Sequence, residues 1–150
     1  MTPMLRIALI ALLAWPATAV AATEPEETPL FMEAGELTLD EFLWLKRPVI
    51  VFADTPADPR FQMQMNALRD RPDDLRLRDV VVITDTDPRA SSPIRRALRP
   101  RGFMLVIVGK DGQVKMRKPQ PWDVREISRS IDKFPLRQDE ILERRAAPAR

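Results

Sequence analysis

Pro48-Val49-Ile50-Val51-Phe52-Ala53 is an unbroken apolar run. A strand with one wet face alternates apolar and polar residues, so a run without alternation predicts a strand covered on both faces. Two more runs share this character: Val80-Val81-Val82-Ile83, in a strand predicted over 79–84, and Phe103-Met104-Leu105-Val106-Ile107-Val108. Between the first two, Asp58-Pro59 places an N-cap before a proline at the first helical position, and Phe61, Met65 and Leu68 follow at helical spacing. Ser92 is set to cap a short helix over 93–98. Lys110-Asp111-Gly112 is a tight-hairpin signal leading into a fourth strand over 114–117. Asp123 is placed to open a last strong helix, in which Val124, Ile127, Ile131 and Phe134 share one face. Pro135 is expected to stop it and to direct the chain back over the domain, ahead of one more helix over 138–145. Leu136 is then expected to bury while Arg137 seeks an acid, Asp132 and Glu140 being nearest in sequence.

Upstream, Thr38 and Glu41 have capping-box spacing and Leu37 can staple onto Phe42, which predicts a short helix ending before Pro48. The resulting order is β-α-β-α-β-β-α behind a short N-terminal helix. Two parallel strands joined by a crossover, then a hairpin and a closing helix, make a mixed sheet with helices on both faces. The class is α/β and the arrangement thioredoxin-like. Another small α/β sandwich with a different strand order is the alternative.

The chain opens with Arg6, an apolar run from Ile7 to Trp15, and small residues ending in Ala19-Val20-Ala21. These are the three parts of a secretory signal peptide, and the apolar core is too short to span a bilayer. Cleavage is expected near Ala21 or Ala22, with no transmembrane segment afterwards and a periplasmic or secreted destination. The expected organisation is a signal peptide over 1–21, a flexible lead-in over 22–36, the domain over 37–145 and a disordered tail over 146–150. Loss of Arg6 takes the net charge from +2 to +1, which gives no reason to expect a nucleic-acid partner.

The chain has no Cys, no His and no Tyr. Without Cys there is no thiol nucleophile, dithiol pair or iron–sulfur cluster; without His there is no imidazole base and no ordinary zinc site. Export permits disulfides that this chain cannot form, so packing must stabilise it.

Four phrases resemble the DUF4174 domain of exported bacterial proteins. They are Arg47-Pro48-Val49-Ile50-Val51-Phe52-Ala53, then Arg78-Asp79, then Val108-Gly109-Lys110-Asp111-Gly112-Gln113-Val114-Lys115, and finally Ile131-Asp132-Lys133-Phe134-Pro135-Leu136-Arg137-Gln138-Asp139-Glu140. The likeness runs from about Leu37 to Glu143. This domain also occurs in secreted proteins of the sushi-repeat type and is described as peroxiredoxin-like. The resemblance implies a thioredoxin-like fold outside the cytoplasm and no agreed activity. Where thioredoxin carries its catalytic pair, this chain reads Ala53-Asp54-Thr55-Pro56-Ala57-Asp58-Pro59-Arg60; where thioredoxin has its cis-proline, it has Met104. Disulfide exchange and peroxide reduction require a thiolate, so those activities do not carry over.

Asp54 and Asp58 follow the first core strand, Asp85 and Asp87 the second, and Arg99 and Arg101 precede the third at the same sheet edge. Strand ends are where open α/β sheets bind ligands. The sharp reading is a carboxylate cluster holding a hard cation. The preferred one has Asp58 and Asp87 capping helices that begin at Pro59 and Pro88, with Arg99 and Arg101 neutralising the rest. No catalytic, cofactor-binding or metal-ligating residue is assigned, and no cofactor is expected. Arg89, Arg95, Arg96, Arg99 and Arg101 run without an acid, and Lys110, Lys115, Arg117 and Lys118 add charge on the hairpin. They read as a solvated face offset by Asp70, Asp73, Asp74 and Asp79, with an anionic partner as the alternative. Met63, Met65, Met104 and Met116 read as packing, and Lys110 and Lys115 as exposed amines without the desolvation a nucleophile needs. The expected role is a non-catalytic module binding an envelope or extracellular protein or an anionic polymer; the alternative is a metal-dependent enzyme using the Asp cluster.

Overall fold

A computed structural model describes residues 27–148. The signal sequence and its cleavage point lie outside the described residues. Strands β1 (Phe31–Glu33), β2 (Arg47–Phe52), β3 (Val80–Asp85), β4 (Met104–Val108) and β5 (Val114–Lys118) form one sheet in the order β1-β3-β2-β4-β5. β1 and β2 both run parallel to β3, while β4 is antiparallel to β2 and to β5. The connection from β2 to β3 passes through α1 (Pro59–Arg69) and α2 (Pro72–Arg76). α3 (Pro93–Leu98) leads into β4, and α4 (Val124–Asp132) and α5 (Pro135–Ala146) close the chain.

Alternation along the strands divides the core in two. Val49, Val51, Val80, Val82, Leu105 and Ile107 face Phe61, Met65 and Leu68 of α1, Leu75 of α2, and Val124, Ile127 and Ile131 of α4. Ile50, Phe52, Val81, Ile83, Val106 and Val108 face Phe42, together with Ile94 and Leu98 of α3. Both faces of β2 are therefore dry, as its unbroken apolar run requires. Each fully buried Val, Ile or Leu contributes roughly 1.5–3 kcal/mol.

The helix starts follow their caps. Asp58 accepts from the Arg60 N–H at 2.8 Å, Ser92 Oγ from the Arg95 N–H at 3.0 Å, and Asp123 from the Arg125 N–H at 2.6 Å. The β4–β5 hairpin turns at Gly112, whose φ of +76° suits glycine.

Several expectations are corrected. The lead-in is not flexible throughout: β1 lies within it, and the Val82 N–H donates to the Leu30 carbonyl at 2.7 Å. The introductory helix is a single 3₁₀ turn, Leu39–Phe42, with the Thr38 N–H donating to Glu41 Oε1 at 2.8 Å. α2 was not anticipated, because its five residues are too few to show a period. Pro135 starts a helix where it was expected only to end one. α4 stops at Asp132, Phe134 is the extended N-cap residue of α5, and Pro135 occupies that helix's first turn. α5 also reaches Ala146, one residue into the expected tail. Met65 is core, and Met104 and Met116 pack against it from partly buried positions, whereas Met63 stands exposed.

Candidate functional site

The C-terminal ends of β2 and β3, with the start of β4, form the edge that carries the predicted residues. Asp85 is buried there, and its carboxylate is fully engaged. Oδ1 accepts from Arg95 Nε at 3.1 Å and Nη2 at 2.9 Å, and Oδ2 accepts from Ser92 Oγ at 2.6 Å. Arg95 Nη2 also donates to the Ala53 carbonyl at 3.0 Å, and its guanidinium lies 5.3 Å from the centre of the Phe52 ring. One buried arginine thus ties the ends of β2 and β3 to the first turn of α3. Buried ion pairs persist only when their remaining polar atoms are satisfied, and these are.

Of the other acids only Asp87 is bonded to it among the described residues, its N–H donating to Asp85 Oδ1 at 3.3 Å. Asp58 caps α1 and pairs with Arg60 at 2.9 Å; the Arg60 side chain, donating to it, holds its carboxyl below the usual range. Asp87 accepts from the Arg89 N–H at 3.0 Å in a turn, and no helix begins at Pro88, so that cap is corrected to a turn. Asp54 is exposed and lines a shallow groove of about 560 Å³ with Thr55, Pro56, Thr86, Asp87, Pro88 and Arg89. Arg99 and Arg101 stand exposed in the loop into β4, and neither makes an ion pair among the described residues. The expected neutralisation by these two is corrected: Arg95, a core arginine, supplies the counter-charge to Asp85. Among the described residues, no three His, Cys, Asp or Glu side chains come together as a metal-ligand set. Chemically this edge offers carboxylates bound to partners at Asp58, Asp85 and Asp87 and one exposed carboxylate at Asp54 that makes no ion pair among the described residues, with no thiol or imidazole to activate.

A second constellation, which the sequence reading missed as a unit, occupies the opposite end of the sheet. Arg47, only 1 % exposed, donates to Glu140 at 2.9 and 3.3 Å and to the Arg78 carbonyl at 2.9 Å. Arg78 grips Asp132 with two bonds of 3.0 and 2.7 Å. Lys110 bridges Asp79 at 2.9 Å and Glu140 at 2.8 Å, and Arg137 bridges Asp132 at 3.4 Å and Glu140 at 3.1 Å. Burial pushes the Glu140 carboxyl up, but hydrogen bonds from Arg47, Lys110 and Arg137 outweigh it and bring it down to about 2. Asp132 is likewise lowered, the Arg78 and Arg137 bonds overcoming its burial. Lys110 and Lys115 are both mostly buried, which corrects their reading as exposed amines; Asp79 and Glu140 hold Lys110, and Asp111 holds Lys115 at 2.7 Å. The segment after α4 is inverted relative to expectation: Arg137 is 4 % exposed and Leu136 37 %. Asp132 and Glu140, expected as the nearest acids to Arg137, are its partners.

Every one of the four phrases quoted from the sequence supplies a member of this network, and residues 38–140 match DUF4174, a domain of unknown function. The chain belongs to the DUF4174 family. Among curated proteins none matches it in sequence. Among solved structures, the DUF4174 chain is similar to the reduced 2-Cys peroxiredoxin of Plasmodium vivax, at 16 % identity and a TM-score of 0.54, over 70 % of this chain and 85 % of that one. It is also similar to Plasmodium yoelii Prx1a, at 17 % identity and a TM-score of 0.50, over 76 % and 84 % of the two chains. These likenesses show the fold, which is thioredoxin-like. The DUF4174 chain has that fold without a cysteine.

Proposed function

We propose that this DUF4174 chain is an exported, non-catalytic interaction module of the cell envelope, a thioredoxin-like scaffold that keeps the fold and has dispensed with the redox centre. The observation carrying this reading is the Asp85–Arg95–Ser92 cluster. At the strand ends, where open α/β sheets present reactive groups, a fully satisfied ion pair stitches β2, β3 and α3 together. With no Cys in the chain, dithiol and peroxide chemistry have no nucleophile. A metal-dependent enzyme built on Asp54, Asp58, Asp85 and Asp87 needs those oxygens free and convergent. Asp58 is bound to Arg60 and Asp85 to Arg95 and Ser92, so the interaction reading is better supported.

Export rests on the signal pattern of the first residues, and intact-mass analysis of the chain from the native envelope fraction tests it. A mature N-terminus at Ala22 or Thr23 is expected; a form retaining Met1 in the cytosol overturns export. The non-catalytic half is tested with purified mature chain. Insulin disulfides, peroxide, and ester or phosphoester substrates with added Ca²⁺ or Mg²⁺ should show no turnover above buffer. Reproducible turnover that tracks the protein through purification overturns it.

A further inference from the structure

From Pro88 to Lys110 the chain contains arginines and no acid. Arg95 turns inward to Asp85, but Arg96 and Arg99 remain exposed at the end of α3. Arg117 joins them from β5. It lies opposite Val106, on the sheet face that α3 covers, and its Nη1 donates to the Leu98 carbonyl at 2.7 Å, next to Arg99. The Arg96 guanidinium is likewise held by the Ser91 carbonyl. Among the described residues none of Arg96, Arg99 and Arg117 makes an ion pair.

The acids expected to offset this charge are elsewhere. Asp73 pairs with Arg76, Asp74 with Arg71 and Asp79 with Lys110, while Asp70 ends α1. α1 and α2 cover the opposite face of the sheet from α3. β5 is moreover an edge strand, paired on one side only; Arg117 and Lys118 on it make no ion pair among the described residues, while Lys115 is paired with Asp111 at 2.7 Å. Such an edge repels a second copy of itself and accepts a negatively charged strand. Between Arg89 and Lys118 the one large apolar side chain exposed among the described residues is Val114, at the start of β5, and a single valine makes no apolar face to wedge into a bilayer. Two of the three guanidiniums are already oriented by backbone carbonyls, so fewer rotamers are lost when a carboxylate is gripped.

We propose that β5 and the arginines Arg96, Arg99 and Arg117 form a docking strip for an acidic polypeptide segment in extended conformation, which adds to the β5 edge and lays its carboxylates on the guanidiniums. This rests on the interaction-module reading and names its surface and partner class.

The probe is poly-L-glutamate, an extended coil at neutral pH, against polyphosphate of matched charge and phosphatidylglycerol vesicles. Binding of the mature chain is measured by calorimetry, and amide exchange is followed on β5. Polyglutamate should bind and slow exchange of β5 amides, with affinity falling on the order of tenfold or more between low and physiological salt as counterions are released. The R96E/R99E/R117E triple should weaken it at least about tenfold, and R125E/R129E/R145E, an equal change in charge at exposed positions, by less than about twofold. Absence of polyglutamate binding at low salt overturns the strip. So does tighter binding to polyphosphate or vesicles, or an equal loss in both triples. Turnover in the enzymatic assays would sink the module reading while leaving polyglutamate binding untouched, so the two failures are distinguishable.

Discussion

Glu140→Gln removes the carboxylate shared by Arg47, Lys110 and Arg137 while nearly preserving its shape. In the folded chain this carboxyl is lowered from 4.5 to about 2 by those three donors, working against the upward push of burial. A group depressed by that much contributes about 3 kcal/mol of stability at neutral pH. The contribution is present in full above the unfolded value near 4.5 and is lost as pH falls through the folded value near 2. Glutamine keeps one acceptor oxygen, so the variant should lose about 2–3 kcal/mol at neutral pH. The gap should close as pH drops, because a protonated Glu140 and the neutral amide that replaces it are nearly equivalent neighbours for the three cations. Urea unfolding of both proteins at steps from neutral pH to about pH 2 measures it. Differences between them cancel the acids remote from the network, whereas Asp132, which shares Arg137 with Glu140, titrates as part of the same unit. Glu143→Gln, an exposed control one turn away, should stay within about 0.5 kcal/mol at every pH. A gap that does not change with pH, or one below about 1 kcal/mol at neutral pH, would refute the reading of the Arg47–Lys110–Arg137–Glu140 network as a charge-dependent clasp on α5.

Asp85→Asn should cost about 3–5 kcal/mol by leaving Arg95 buried without a counter-charge, and Asp85→Asn with Arg95→Met should recover part of that loss in urea melts. Phe134→Ala should cost about 2–3 kcal/mol, somewhat below a fully buried phenylalanine, because its ring packs on the core from a partly exposed position. Leu136→Ala, at an exposed site, should cost less than about 1 kcal/mol by the same assay; the reverse order of these two would contradict the inverted packing after α4.

The core strands were legible because burial on both faces leaves an unbroken apolar run. The caps at Asp58, Ser92 and Asp123 were legible because a cap is a local bond between a side chain and the next turn. What escaped was short or distant. β1 has three residues and α2 five, too few to show a period. Pro135 fits either side of a helix boundary, and the sequence does not say whether a proline ends one helix or begins the next. Choosing wrongly there placed Phe134 on the α4 face and exchanged the environments of Leu136 and Arg137. At the candidate edge, Asp85 ends β3, but in sequence Arg95 reads only as one more cation in a basic stretch. Its role depends on α3 turning one of its arginines into the sheet while its neighbours face water.

The ion network explains why the family likeness reaches beyond the last strand. Arg47 and Glu140 are 93 residues apart, and Arg78 and Asp132 are 54 apart, so no local spacing announces either pair. Their phrases are nonetheless distinctive, because each must deliver a charge to one partly buried point, and a missing member leaves another uncompensated. Arg47 opens β2, Arg78-Asp79 precedes β3, Lys110 sits in the hairpin, and Asp132, Arg137 and Glu140 straddle the α4–α5 junction. The clasp therefore accounts for all four phrases without invoking a ligand. Arg96, Arg99 and Arg117 belong to none of them. The four phrases thus hold α5 against the sheet, and the arginines of the strip proposed above lie outside them.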